Sequence, residues 1–225
     1  MLKNLINLFF PPVCEACDNS LQDNESSICI TCRHELPVTN FHFDNSDNVK
    51  KVLYGRVQLE NATALLYFSK KGKVQQILHN LKYKGHEHIS ELLGSWLGAE
   101  LQSLDAYQQL DVVIPVPLYK TRLKKRGYNQ VTGFGKGIAN ALNIEYNDTV
   151  LQRIKSTQTK VFKGRSIRYE DNSVFDISPN SSLNGKHILL VDDIITTGAT
   201  VEACSKQLLK IPNIKLSLAT MAIAN

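Results

Sequence analysis

Two neighbouring carboxylates, Asp192 and Asp193, are the residues of this 225-residue chain best placed to do chemistry. They follow the apolar run Ile188-Leu189-Leu190-Val191, which is bounded upstream by Asn184-Gly185. Such a run reads as a strand buried on both faces, as in a parallel sheet. Paired acids suit a core poorly. They suit the carboxyl ends of the strands in an open α/β sheet, where ligands bind. Thr196-Thr197-Gly198-Ala199-Thr200 comes next, ahead of a helical spacing of Val201, Cys204, Leu208 and Ile211. Glycine lets backbone N–H groups approach a ligand, and a helix start favours an anion. Polyol-binding carboxylates beside a phosphate-sized nest describe a site for a sugar phosphate. A Walker B strand or a receiver-type acidic pocket also places carboxylates after an apolar run. The first needs a G-x-x-x-x-G-K-[ST] partner, which does not occur here, and the second gives no reason for the threonine-glycine turn.

The second chemical cluster is Cys14-Glu-Ala-Cys17 with Cys29-Ile-Thr-Cys32, two C-x-x-C knuckles separated by eleven residues. Each knuckle turns two thiolates toward one point, and two knuckles complete a tetrahedral shell of four sulfurs for zinc. With all four positions taken by protein no open coordination site remains, so the expected zinc is structural. A thioredoxin-like redox pair needs one motif inside a βαβ unit. His34 is a weaker candidate ligand.

A third group is basic. Lys120, Arg122, Lys124, Lys125 and Arg126 are five cations in seven positions, followed by Gly127-Tyr128-Asn129-Gln130. This reads either as a solvated loop or as a mobile loop that closes over a leaving anion and stabilises its charge. Arg153 to Arg168 is basic again and is read as an excursion framing the cleft. Lys82-Tyr83-Lys84-Gly85 is a solvated turn or a part of the site.

The elements that must position these groups can be read from periodicity. Val74, Ile77, Leu78 and Leu81 have amphipathic-helix spacing, and Ile89, Leu92, Leu93, Trp96 and Leu97 mark a second helix. Leu59 to Phe68 and Ile214 to Ala222 read as strands. Val112-Val113-Ile114 is a short buried strand ended by Pro115-Val116-Pro117, since proline cannot donate to a ladder. Val131, Phe134, Ile138 and Leu142 mark another helix. Its Gly133, Gly135 and Gly137 look like a G-x-G-x-G pattern, but no strand precedes them, so a dinucleotide fingerprint is discounted. Met1 to Phe10 is expected as a short amphipathic helix rather than a secretory signal. Expected organisation is a helix and four-cysteine finger over 1–40, a polar linker over 41–58, and an α/β domain over 59–225.

Composition narrows the class without naming a partner. Lys plus Arg number 26 against 21 Asp plus Glu, a net charge of +5 with 43% hydrophobic residues. That is an ordinary globular balance, mildly suited to anionic partners. No apolar run approaches the roughly 18 residues of a membrane span. A cytoplasmic location is expected, where cysteines are more often metal ligands than disulfides.

The strand, acidic pair and T-T-G-A-T turn resemble the 5-phosphoribosyl-1-pyrophosphate (PRPP) signature of type I phosphoribosyltransferases. The full order adds F-P-P-V-C, the two knuckles, L-K-Y-K-G and P-V-P-L-x-x-x-R-L-x-x-R-G-Y-N-Q, and is similar to that of ComF-type competence proteins. The resemblance implies a type I phosphoribosyltransferase-like open parallel sheet flanked by helices, with a small N-terminal four-cysteine zinc finger. It implies that Asp192 and Asp193 face the ribose hydroxyls, that Thr196, Thr197, Gly198, Ala199 and Thr200 bind the 5′-phosphate, and that Mg²⁺ accompanies PRPP. Pro115, Val116, Pro117, Lys120, Arg122 and Arg126 would then take the pyrophosphate. It also implies a part in DNA uptake during natural transformation, with the uptake machinery, such as a helicase, as a partner. An alternative reading takes the basic runs 120–126 and 153–168 with Tyr119, Tyr128 or Tyr169 as a track for single-stranded DNA. Lys82, Lys84, Lys124, Lys125 and Arg126 are the nucleic-acid candidates. The family's T-x-x-Q has Lys160 in place of glutamine, which leaves the role of that segment open.

Overall fold

A parallel sheet carries the long run that ends in the acidic pair. The computed structural model describes residues 11–155, 173–178 and 182–224. The expected helix over Met1 to Phe10 and most of the basic excursion after Arg153 lie outside these residues.

Five strands form the main sheet: β1 (Ala62–Phe68), β2 (Val112–Pro115), β3 (Glu145–Tyr146), β6 (His187–Ile195) and β7 (Lys215–Ala224), in spatial order β1-β7-β6-β2-β3. All neighbours pair in parallel. β4 (Leu151–Arg153) and β5 (Phe175–Ile177) form a separate antiparallel pair. β6 lies at the centre, between β7 and β2, so both of its faces must be covered. Its residues divide as a period of two requires. Leu189 and Val191 enter one core, while Ile188 and Leu190 enter the other.

The first core is closed by three helices, α3 (Lys73–Tyr83), α4 (His88–Gln102) and α6 (Thr132–Leu142), which contribute Ile77, Leu81, Leu93, Leu97, Phe134 and Ile138. α4 and α6 approach through glycine. A Cβ on Gly94 would lie 2.3 Å from the Phe134 carbonyl, and one on Gly137 would lie 2.6 Å from the Ser95 nitrogen. The G-x-G-x-G pattern of 133–137 is therefore a helix-packing device, which is why it sits inside a helix and not after a strand. The second core is closed by α7 (Ala199–Leu208), the β4–β5 pair and α2 (Asn48–Val52).

The N-terminal cysteine segment, with α1 (Ile30–Glu35), packs Cys14, Ile28, Cys32 and Leu36 against the first core. Residues 37–39 then run beside β1, where Thr39 N donates to Leu65 O at 3.0 Å and Tyr67 N donates to Pro37 O at 2.8 Å. This covers an otherwise open sheet edge. Within the polar stretch 41–58, Phe41, Val49 and Leu53 are buried in the second core. The sequence pattern hides this, because three spaced apolar residues among turn formers carry no clear period.

One expectation is corrected. Lys120–Arg126 is a seven-residue helix, α5, capped by Gly127 in the left-handed region at φ 88°, not a loop. None of its residues is buried, so no apolar stripe announces it in the sequence.

Candidate functional site

The acidic pair sits at the carboxyl end of β6, and Asp192 and Asp193 are each only 7% exposed. Strand alternation sends the two carboxylates to opposite faces. Asp193 follows Leu189 and Val191 toward α3 and α6, where Lys82 Nζ lies 2.8 Å from its Oδ2 and Gln130 Nε2 donates to the same oxygen at 2.7 Å. Asp192 follows Ile188 and Leu190 toward α7 and β4, and its Oδ1 accepts the Asp193 backbone N–H at 2.8 Å. Burial first, and the charge of Asp193 second, push the Asp192 carboxyl up to about 8, against the pull of that N–H, Lys82 and Arg153. Burial, then Arg122, lower Arg153 on the same side.

The turn after β6 does what the glycine suggested. Thr196 and Thr197 are exposed, Gly198 stands in the left-handed region at φ 73°, and α7 begins at Ala199. Asp192 and residues 194–201 line a niche of about 50 Å³ at this helix start. The helix start offers unsatisfied N–H donors and partial positive charge. The niche can therefore hold an anion beside a carboxylate. A Cβ on Gly198 would lie 2.6 Å from Leu53 Cδ2, so the segment after α2 forms the wall behind the turn.

Arg56 extends that wall. Its guanidinium donates to Thr197 O at 2.8 Å, to Val52 O, and to Glu202 Oε2 at 2.8 Å. One planar fork thus ties the 41–58 segment, the turn and the first turn of α7 together. Sequence reading missed Arg56, since it lies in a polar stretch without a motif. It also missed Gln130, although the G-Y-N-Q tetrapeptide held it in view.

The expected pyrophosphate residues fall into two groups. Pro115 pairs with Val191 in the strand register, and Val116 N donates to Val191 O at 2.9 Å, so 115–117 runs alongside the acid-bearing strand. Asn129 Nδ2 donates to Val116 O at 3.0 Å and fixes that segment to the residues after α5. Arg122, Lys125 and Arg126 line a cleft of about 360 Å³ with Lys82, Tyr83, Gly85 and Tyr128. Lys120, Lys124 and Lys84 are exposed but do not line it. Lys82 borders the cleft and reaches Asp193, so acids and cations meet through this side chain.

The four cysteines converge, with their sulfurs all within 4.8 Å of one another and Cys17 Sγ 3.9 Å from Cys29 Sγ. A tetrahedral site with Zn–S bonds of about 2.3 Å separates its sulfurs by about 3.8 Å. Backbone N–H groups of Ala16 and Cys29 approach Cys14 Sγ at 3.4 and 3.3 Å. Burial opposes ionisation of Cys14, but N–H groups of Cys29, Ala16 and Cys17 lower it to about 7. The donor set fits a metal ion. Between two of the cysteines, buried Glu15 accepts from Asn80 Nδ2 at 2.8 Å and meets His86 Nδ1 at 2.8 Å and His88 Nε2 at 3.1 Å. The cysteine cluster therefore braces the end of α3 and the turn beyond it, close to Lys82.

Among the described residues no helix is long and apolar enough to cross a membrane.

Residues 132–223 match the family model "Phosphoribosyl transferase domain". The chain is 27% identical over 138 residues to the DNA utilization protein YhgH of Escherichia coli O157:H7, covering 60% of each chain. It is 24% identical over 198 residues to the competence protein ComFC of Bacillus subtilis strain 168, covering 88% of this chain and 78% of that one. A crystal structure of adenine phosphoribosyltransferase aligns with TM-score 0.38 at 17% identity, over 65% of this chain and 75% of that one. The chain thus spans about 60% of the length of curated relatives such as YhgH. It is similar to proteins named ComFC and YhgH, and it places a four-cysteine cluster able to hold a metal ahead of a segment that matches the phosphoribosyl transferase domain.

Proposed function

We propose that this chain serves in DNA uptake and binds PRPP at the end of β6. One observation carries the reading: Asp192 of the buried acidic pair lines an anion-sized niche closed by Gly198 at a helix start. In this reading Asp192 and Asp193 accept hydrogen bonds from the ribose hydroxyls, and Thr196 to Thr200 hold the 5′-phosphate. The diphosphate lies toward 115–117 and Arg122, Lys125 and Arg126. Mg²⁺ would be held near Asp192 and Asp193 with the diphosphate oxygens, where it supplies charge neutralisation. Zinc in the four-cysteine cluster is structural, its shell being filled by protein. The role in DNA uptake rests on relatives named competence protein ComFC and DNA utilization protein YhgH.

Calorimetry with Mg²⁺ and PRPP tests the site. The wild-type chain binds, and the variant with Asp192→Asn and Asp193→Asn together does not; binding that survives the double change sinks the assignment. Release of pyrophosphate reads whether the pentosyl group is transferred.

A second reading, a single-stranded DNA-binding module with PRPP or a nucleotide as regulatory ligand and no turnover, is favoured by α5. That helix carries four exposed cations and the half-buried Arg126, and buries none of its residues. Affinity for a single strand then falls steeply with salt as counterions are released. Replacing Lys124, Lys125 and Arg126 by alanine flattens that slope; an unchanged slope moves the DNA path elsewhere.

A further inference from the structure

The cleft between the turn at 82–85 and α5 has a lining that phosphate binding alone does not explain. Its side chains are Lys82, Arg122, Lys125, Arg126, Tyr83 and Tyr128, with no carboxylate among them. Arg122, Lys125 and Arg126 recur at i, i+3 and i+4, which places them on one face of the short helix. None of the three has a carboxylate partner among the ion pairs of the described residues. Lys82 is already engaged with Asp193.

The aromatic half of the lining is equally arranged. Tyr83 is 72% exposed at the end of α3, an unusual position for a ring with an apolar face. Arg126 lies over this ring at 5.9 Å from its centroid, and His79 supports it with ring centroids 5.0 Å apart. Tyr128 is anchored, since its hydroxyl donates to the Leu81 carbonyl. Arg126 is held in turn by Gln130, the residue that donates to Asp193. Cations and rings are thus fixed against the same two supports as the acidic pair.

A diphosphate needs the cations but not two tyrosines. An uncharged base would use the rings but leave three cations unmatched. A ligand that joins an uncharged planar base to an anionic phosphate uses both, through stacking and cation–π contact at one end and ion pairing at the other. A volume of about 360 Å³ suits such a molecule, at the small end of ordinary ligand pockets. We propose that this cleft is a binding site for a free mononucleotide, with its base on Tyr83 and Tyr128 and its phosphate on Arg122, Lys125 and Arg126. Arg122, Lys125 and Arg126 are also the cations assigned to the diphosphate, so a mononucleotide bound here excludes the diphosphate of PRPP; only this competition rests on the phosphoribosyl reading. Binding itself does not depend on it.

The test uses the full, metal-loaded chain and four probes: AMP, adenosine, inorganic pyrophosphate and a single-stranded oligothymidylate, each measured by calorimetry. AMP is expected to bind at least tenfold tighter than adenosine and tighter than pyrophosphate. Tyr83→Ala should weaken AMP at least fivefold and leave pyrophosphate unchanged, while Tyr83→Phe keeps the wild-type affinity and so shows that the ring itself is read. Arg122→Ala with Lys125→Ala should weaken AMP and pyrophosphate alike. Pyrophosphate equal to or tighter than AMP, with Tyr83→Ala silent, overturns the proposal in favour of a plain anion patch. Oligothymidylate binding without AMP binding overturns it in favour of a strand-tracking surface. Asp192→Asn with Asp193→Asn should not weaken AMP, since it removes two negative charges and frees Lys82, which borders the cleft. If wild type binds AMP as expected but not PRPP, the phosphoribosyl reading fails and the cleft stands.

Discussion

Gly198→Ala isolates the turn on which the anion site depends. Two separate costs arise at this position. The residue stands at φ 73°, where an L side chain crowds the following carbonyl, at about 1–2 kcal/mol. The new Cβ would also lie 2.6 Å from Leu53 Cδ2 and 3.3 Å from Val52 Cγ1. Leu53 is fully buried, so it has no solvent to retreat into. Forcing a methyl into such packing costs roughly 1–3 kcal/mol. Together these give about 2–5 kcal/mol of lost stability, or relief by moving the turn, in which case the N–H groups at the start of α7 lose their aim. For a chain of this size each kcal/mol shifts the melting temperature by about 2–4 °C. Thermal denaturation and calorimetry with ribose 5-phosphate measure the two escapes. The reasoning requires that at least one responds clearly. A variant with an unchanged melting temperature and unchanged affinity refutes it. Asn at 198 tolerates the left-handed region better than Ala, so a milder stability loss for Gly198→Asn separates the backbone cost from the contact with Leu53.

Arg56→Ala should reduce affinity for ribose 5-phosphate about tenfold, or 1.4 kcal/mol, while pyrophosphate binding is unchanged. Its pair with Glu202 is partly exposed, at 36% and 21%, so the accompanying stability loss stays within about 1 kcal/mol. Equal losses for both ligands would show that Arg56 does not act through the turn. Asp192, raised by burial and Asp193 from 3.8 to about 8, binds a proton in the native state that the unfolded chain releases. Stability from this group is therefore fullest below 3.8 and declines as pH rises toward about 8. In urea titrations Asp192→Asn should lose that decline and gain most over wild type at alkaline pH; parallel profiles for the two proteins would contradict it. Metal analysis should return about one zinc per chain, and chelation should expose the cysteine segment to proteolysis. A metal-free chain with that segment protected argues against zinc.

The sheet was legible where apolar runs were long and uninterrupted. Ile188 to Val191 is buried on both faces because it forms the middle strand, and the sequence shows that as four apolar residues without alternation. The cysteines were legible because thiolate chemistry constrains spacing more tightly than packing does. The 41–58 segment was not, since its contribution rests on the isolated anchors Phe41, Val49 and Leu53 and on one arginine that reaches across the fold. α5 was not, because a helix of seven mostly basic residues, none of them buried, has no apolar stripe to betray its period. The G-x-G-x-G pattern gave a false scent, since small residues serve close helix approach as well as ligand approach.

Strand alternation gives the acidic pair its division of labour. Two carboxylates side by side in sequence would repel strongly if both faced one small pocket. Here Asp192 faces the niche at the start of α7, and Asp193 faces Lys82 and Gln130. The charge of Asp193 is thus balanced by a cation from α3, and that helix is gripped at its end through Asn80, with His86 and His88 just beyond, by a glutamate lodged between two residues of the four-cysteine cluster. The cysteine cluster is consequently not a detached finger. It fixes where α3 ends, and so where Lys82 stands relative to the acid it neutralises.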